Sequence, residues 1–306
     1  MKNAHILVPT DFSELSYKAF EAASVFAELF DGAITPFHSY ISVKDAGEMH
    51  AIGGTGNFES IPARQVSESL AEMEGQLAER LNEAAARHVD PKLLNPGLVH
   101  VGNASNTIVE AAQQFDLIVM TTHGRTGFTR LLMGSVAEKV VRFAPVPVVV
   151  VEEASRIRPL ERILLTTDFS ENSLKAIPFA RSIAKASNAR LDIVHVISFE
   201  QFGSIPQIQA ATDTRNKQMK LLVEERIDDM KDQVHAEVVS TQKSIHEKMT
   251  RIIEKEEYNL VVMATIGRTG LEYLRMGSTA SNVIRHVESA VFTINPRRLK
   301  GAQPPA

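Results

Sequence analysis

The chain has 306 residues, 33 of them basic and 37 acidic, with a net charge of −4 and no cysteine. That length suits two domains, each with its own core. The lack of cysteine excludes disulfides, thiolate nucleophiles and thiolate metal sites, and the acidic balance argues against broad electrostatic binding of nucleic acid.

The apolar run near the N-terminus is too short for a secretory signal, and no run is long enough to span a membrane. The expectation is a cytoplasmic protein with no membrane and no nucleic-acid partner. Short β-branched runs alternate with helical patterns throughout, the signature of a parallel sheet covered by helices on both faces.

In chain order, His5–Val8 reads as a strand. A helix capped by Ser13 follows, with Ala19, Ala23 and Ala27 on one face. Ala33–His38 is a second strand, and 65–88 a long amphipathic helix with Leu70, Leu77 and Leu81 inward. Leu98–Val101 is a third strand, 104–114 a helix, and Leu117–Met120 a fourth strand, apolar on both faces and therefore central. A helix from about Ser135 and a strand Val146–Val151 complete the half. The second half repeats this order. Its strands lie near 162–166, 190–196, 235–240, 260–263 and 291–294, and its helices near 171–186, 214–232, 245–256 and 278–287. Residues Glu152–Leu160 form the linker. The expected domains are therefore 1–153 and 159–297, followed by a disordered tail, 298–306.

The halves match in motif as well as in order. D-L-I-V-M-T-T-H-G-R-T-G-F-T-R-L-L-M-G-S at 116–135 matches N-L-V-V-M-A-T-I-G-R-T-G-L-E-Y-L-R-M-G-S at 259–278, offset by 143 residues. P-T-D-F-S-E at 9–14 matches T-T-D-F-S-E at 166–171, offset by 157. The difference falls chiefly in 41–64, a segment read either as a surface excursion or as a lid beside the first site.

Each glycine turn lies between a buried strand and a helix start. There the N–H groups around Gly134, Ser135 and Val136, or Gly277, Ser278 and Thr279, have no partner within the helix and can hold phosphate. The other reading gives Gly124, Gly127, Gly267 and Gly270 a turn-shaping role and Ser135 a capping role. Arg125 and Arg268 either reach phosphate or are solvated. Asp11 and Asp168 follow the first strand of each half, at the edge where open parallel sheets bind ligands; the alternative is that Asp11 caps the first helix with Ser13. His38 and His195 read as satisfied side chains. His123 has Ile266 as its counterpart, which argues against a shared catalytic histidine. No general base, nucleophile or metal cluster is evident in both halves.

Together these motifs resemble the universal stress protein family in its tandem form, from His5 to about Asn295. The resemblance implies two doubly wound α/β domains, each with a five-stranded parallel sheet of order 3-2-1-4-5. Its ATP-binding members carry glycine, two residues, glycine, nine residues, then glycine with serine or threonine. Here Gly124 with Gly134–Ser135, and Gly267 with Gly277–Ser278, match the last two glycines, while Thr121 and Ala264 replace the first. The family's adenine contacts fall on Asp11 and Ser39, and on Asp168 and Val196. Pairing of fifth strands, common in the family, implies an internal pseudo-dimer through 148–151 and 291–294; a homodimer of chains is a further expectation. The implied function is stress signalling with bound ATP. The alternatives are a weak ATP hydrolase and a scaffold that has lost nucleotide.

Overall fold

A computed structural model describes residues 2–41, 63–123, 133–202, 204–267 and 276–300. The first half runs β1 (His5–Pro9), α1 (Glu14–Leu29), β2 (Ala33–Tyr40), α2 (Ala63–Ala86), β3 (Leu98–Val101), α3 (Ala104–Ala111), β4 (Leu117–Thr121), α4 (Ser135–Phe143) and β5 (Val148–Val151). The second runs β6 (Arg162–Thr166), α5 (Glu171–Leu174), α6 (Ile177–Ser187), β7 (Arg190–Ser198), α7 (Ile205–Arg226), β8 (Val234–Thr241), α8 (Ile245–Glu256), β9 (Leu260–Ala264), α9 (Ser278–His286) and β10 (Ala290–Ile294).

All ten strands form one sheet, ordered β3-β2-β1-β4-β5-β10-β9-β6-β7-β8. Each half is parallel and has the order 3-2-1-4-5. The halves meet where β5 and β10 pair antiparallel, with Val150 opposite Val291, Val149 opposite Phe292 and Val148 opposite Thr293. The expected internal pairing of fifth strands is thus present, and it removes two edges that would otherwise invite intermolecular pairing. Both strands are buried along their length.

One face of the sheet is covered by α1 and α6. Phe292 lies between Phe26 and Phe179, with ring centroids 6.3 and 5.7 Å away, so one core spans both repeats. The other face is covered by α4, α8 and α9 through Val140, Val141, Met249, Ile253, Val283 and Ile284. The linker is packed: Ile157 and Leu160 are buried, and Ser155 Oγ donates to the Glu288 carbonyl at 2.7 Å.

Several boundaries differ from expectation, each for a local reason. The helix expected over 171–186 breaks after Leu174. Pro178 lacks an N–H, and its ring would collide with the carbonyl four residues back. Strand five starts at Val148, after Pro147. The helix expected at 214–232 starts at Ile205, because Pro206 sits at a first-turn position where its missing N–H costs nothing. It ends at Arg226, and Asp228–Gln233 is 3₁₀. The tail was expected to be disordered from 298, yet Leu299 packs on the core and Lys300 N–H donates to the Pro145 carbonyl at 2.9 Å. Segment 41–64 lies outside the described residues apart from Ile41 and the backbone start of α2.

Candidate functional site

The T-D-F-S sequence builds the same turn twice. Thr10 Oγ1 accepts from Phe12 N–H at 3.0 Å, and Thr167 Oγ1 from Phe169 N–H at 3.0 Å. Both phenylalanines adopt left-handed backbone, φ 65° and 61°. A bulky residue held there stores strain, a feature that clusters at functional sites. Asp11 Oδ1 accepts from Ser13 N–H at 3.0 Å and Ser13 Oγ at 2.6 Å; Asp168 Oδ1 accepts from Ser170 N–H at 2.9 Å and Ser170 Oγ at 2.5 Å. Ser13 and Ser170 then cap α1 and α5. Asp11 Oδ1 thus supports the Ser13 cap, as weighed for Asp11 from sequence, and Asp168 Oδ1 does the same for Ser170.

Histidines fasten these turns to the neighbouring strand. The Nδ1–H of His38 donates to the Thr10 carbonyl at 2.8 Å, and that of His195 to the Thr167 carbonyl at 2.7 Å. A carbonyl can only accept, so these bonds set the tautomer. The rings lie against Phe12 and Phe169 at 4.4 and 4.8 Å.

The glycine turn closes the site from the other side. Gly134 N–H donates to the Thr122 carbonyl, and Gly277 N–H to the Thr265 carbonyl, each at 2.8 Å. A Cβ on Gly134 would lie 2.7 Å from that Thr122 carbonyl oxygen, so the glycine is required by close backbone approach. Gly134 and Gly277 are the N-cap residues of α4 and α9, and no side chain among the described residues caps either helix. Their first-turn N–H groups and dipoles therefore offer an anion site. Asp168 Oδ2 sits where a Cβ on Gly267 would be, so strand-one aspartate and glycine turn touch.

Two clefts result. One, of about 240 Å3, is lined by Asp11, Ser39, Gly134, Ser135 and Val136 together with His38, Thr121 and His123. The other, of about 640 Å3, is lined by Asp168, Val196, Gly267, Gly277, Ser278 and Thr279. Every predicted site residue that is described lies in one of them; Gly124, Arg125, Gly127, Arg268 and Gly270 lie outside the described residues.

The sequence reading missed part of the larger cleft's wall. Phe202 and the first turns of α7, with Ala210, Ala211, Thr214 and Arg215, face it. Pro206 was the signal that this helix begins early. The substitutions for the first glycine also differ. Thr121 Oγ1 donates to the His123 carbonyl at 2.8 Å, whereas Ala264 leaves its turn without such a brace. Thr122 Oγ1 meets His123 Nδ1 at 2.8 Å; its counterpart Thr265 is buried, and its hydroxyl has no partner among the described residues. Among the described residues no three His, Asp or Glu are grouped to hold a metal, and no helix is long and apolar enough to cross a membrane.

A sequence model of the universal stress protein family matches residues 2–152 and again 159–295. The chain belongs to the universal stress protein family. A universal stress protein of Methanocaldococcus jannaschii is 36% identical over 153 residues, covering 49% of this chain and 83% of the relative. One from Synechocystis is 22% identical over 309 residues, covering 96% of this chain and 99% of the relative. The crystal structure of a universal stress protein from Archaeoglobus fulgidus superposes with a TM-score of 0.63 at 21% identity, covering 96% of this chain and 97% of that one. That likeness is one of fold.

Proposed function

We propose that this universal stress protein is a stress-response protein that binds an adenine nucleotide, foremost in the second repeat. The observation that carries the reading is convergence. Asp168, the apolar Val196 and the uncapped start of α9 line one cleft, whose volume of about 640 Å3 suits a small ligand. In this reading a flat base lies on Val196 with Ile197 and Phe202 beside it, Asp168 accepts from the ribose or base, and the phosphates meet the N–H groups of Gly277–Thr279. Ser278 is exposed at that helix start and its hydroxyl adds a donor. The first repeat offers the same parts with Ser39 beneath the base and a smaller cleft, and binds more weakly.

The reading is of binding rather than turnover. Asp168 Oδ1 already takes two bonds from Ser170, and His195 spends its Nδ1 proton on Thr167. His123, the histidine of the first glycine turn, has Ile266 as its counterpart in the second repeat, which argues against a catalytic histidine shared by the two turns. Mass spectrometry of small molecules released by denaturing freshly purified protein tests the proposal. Recovery of an adenine nucleotide is expected. Protein that carries none, and takes up none on dialysis against millimolar ATP, would overturn it.

A further inference from the structure

A separate cavity of about 350 Å3 lies at the other end of the second half's sheet, away from the glycine turn. Its floor is the start of β7 and β8, where Asp192 lies opposite His235 and Val194 opposite Glu237. Its wall is α8, with Lys248, Arg251 and Lys255 on one helical face. Five cationic side chains line it against three carboxylates.

A buried ionic cluster forms its inner end. The Asp192 side chain, 3% exposed, accepts from Tyr258 Oη at 2.7 Å, Arg190 Nε at 2.6 Å and an Arg162 terminal nitrogen at 3.1 Å. Arg162 also donates to the Glu256 carbonyl at 2.6 Å, and its guanidinium lies 4.9 Å over the Tyr258 ring. Burial disfavours the charge on Asp192, but these donors outweigh it and hold the carboxyl below its usual range. Burial beside Asp192 pushes the Tyr258 hydroxyl up.

The same strand arrangement forms elsewhere in the chain without such a cluster. At the matching offsets the first half carries His5, Ala33, Thr35 and Phe115 and builds the same strands. Buried ion clusters seldom stabilise more than the apolar packing that could replace them. Here the cluster fixes two guanidinium groups at the inner end of a cavity. Among the described residues the side chains of Lys248 and Arg251 make no hydrogen bond or ion pair, and Arg162 Nε is buried without a partner. The carboxylates of Asp192 and Glu256 are matched by Arg162, Arg190 and Lys255. Glu237 opposes an anion, but it is exposed and screened by water.

We propose that this groove between α8 and β8 binds a small polyanion with two or more phosphate or carboxylate groups, held by Arg190, Lys248 and Arg251. The cavity's size fits a metabolite, and forked guanidinium donors match both oxyanion types. The proposal is independent of nucleotide at the glycine turn.

Amide NMR spectra of the full chain at low salt, titrated separately with inorganic pyrophosphate and with citrate, test it. Saturable shifts are expected at His235, Lys248 and Arg251, whether or not ATP is present. A response to pyrophosphate alone assigns a phosphate ligand, and a response to citrate alone a carboxylate one. In Lys248→Ala/Arg251→Ala, which alters side chains outside the buried core, the affinity should fall at least about tenfold. Shifts confined to Gly277–Thr279, no shift with either probe, or unchanged affinity in the double variant would overturn the proposal.

Discussion

The Asp168 carboxylate lies directly against Gly267, with Oδ2 in the space a side chain on that glycine would fill. Two motifs separated by nearly a hundred residues therefore fit only as a pair. The same carboxylate orders Ser170, the cap of α5, through its other oxygen. One aspartate thus links helix cap, glycine turn and cleft.

Gly267→Ala should consequently displace Asp168 while leaving the sheet intact. The expected loss is about tenfold in ATP affinity, with about 1 kcal/mol of stability lost through the disturbed cap. Calorimetric titration and thermal unfolding check the two effects. Unchanged affinity would show that the carboxylate does not touch the ligand.

Phe292 joins the two repeats, fully buried between Phe26 and Phe179. Phe292→Ala should cost about 3–5 kcal/mol, the range for emptying a buried aromatic site. Because the core is continuous, denaturation followed at probes in either half should shift together. A loss confined to the second half would show that the repeats unfold separately.

Asp192 gives a pH dependence of known sign. Its folded pKa is depressed, so its contribution to stability is full above the unfolded carboxyl range and is lost as pH falls through the folded value. Asp192→Asn should destabilise the protein by about 2 kcal/mol at pH 7, less than for fully enclosed pairs because both arginines reach water. The difference from the natural chain should shrink below about pH 4. Denaturant midpoints measured from pH 7 to 3 check this; a constant difference would contradict it.

Much of this was legible because it is local. T-D-F-S encodes a hydroxyl acceptor, a carboxylate acceptor and a cap within a few residues, so its duplication predicted a duplicated turn. The apolar run Leu117–Met120 predicted a buried central strand, whereas the pairing of fifth strands across the repeats was implied by the family resemblance. Proline marks two boundaries that periodicity hides: Pro178 splits one helix, and Pro206 starts another, which lines the larger cleft. The Asp192 cluster was not legible, since Arg162, Asp192 and Tyr258 are distant in sequence and meet only through strand order and register.

In the proposed complex the nucleotide phosphates sit on the start of α9. Ser278→Glu tests this placement most directly, because a carboxylate in the first helical turn favours the helix dipole but repels a phosphate. ATP titrations should be run on the natural chain, on Ser278→Glu and on Ser135→Glu, with thermal unfolding of each. Unimpaired folding is expected in both variants, with the tighter binding lost in Ser278→Glu and retained in Ser135→Glu. Full ATP affinity in Ser278→Glu would contradict this placement.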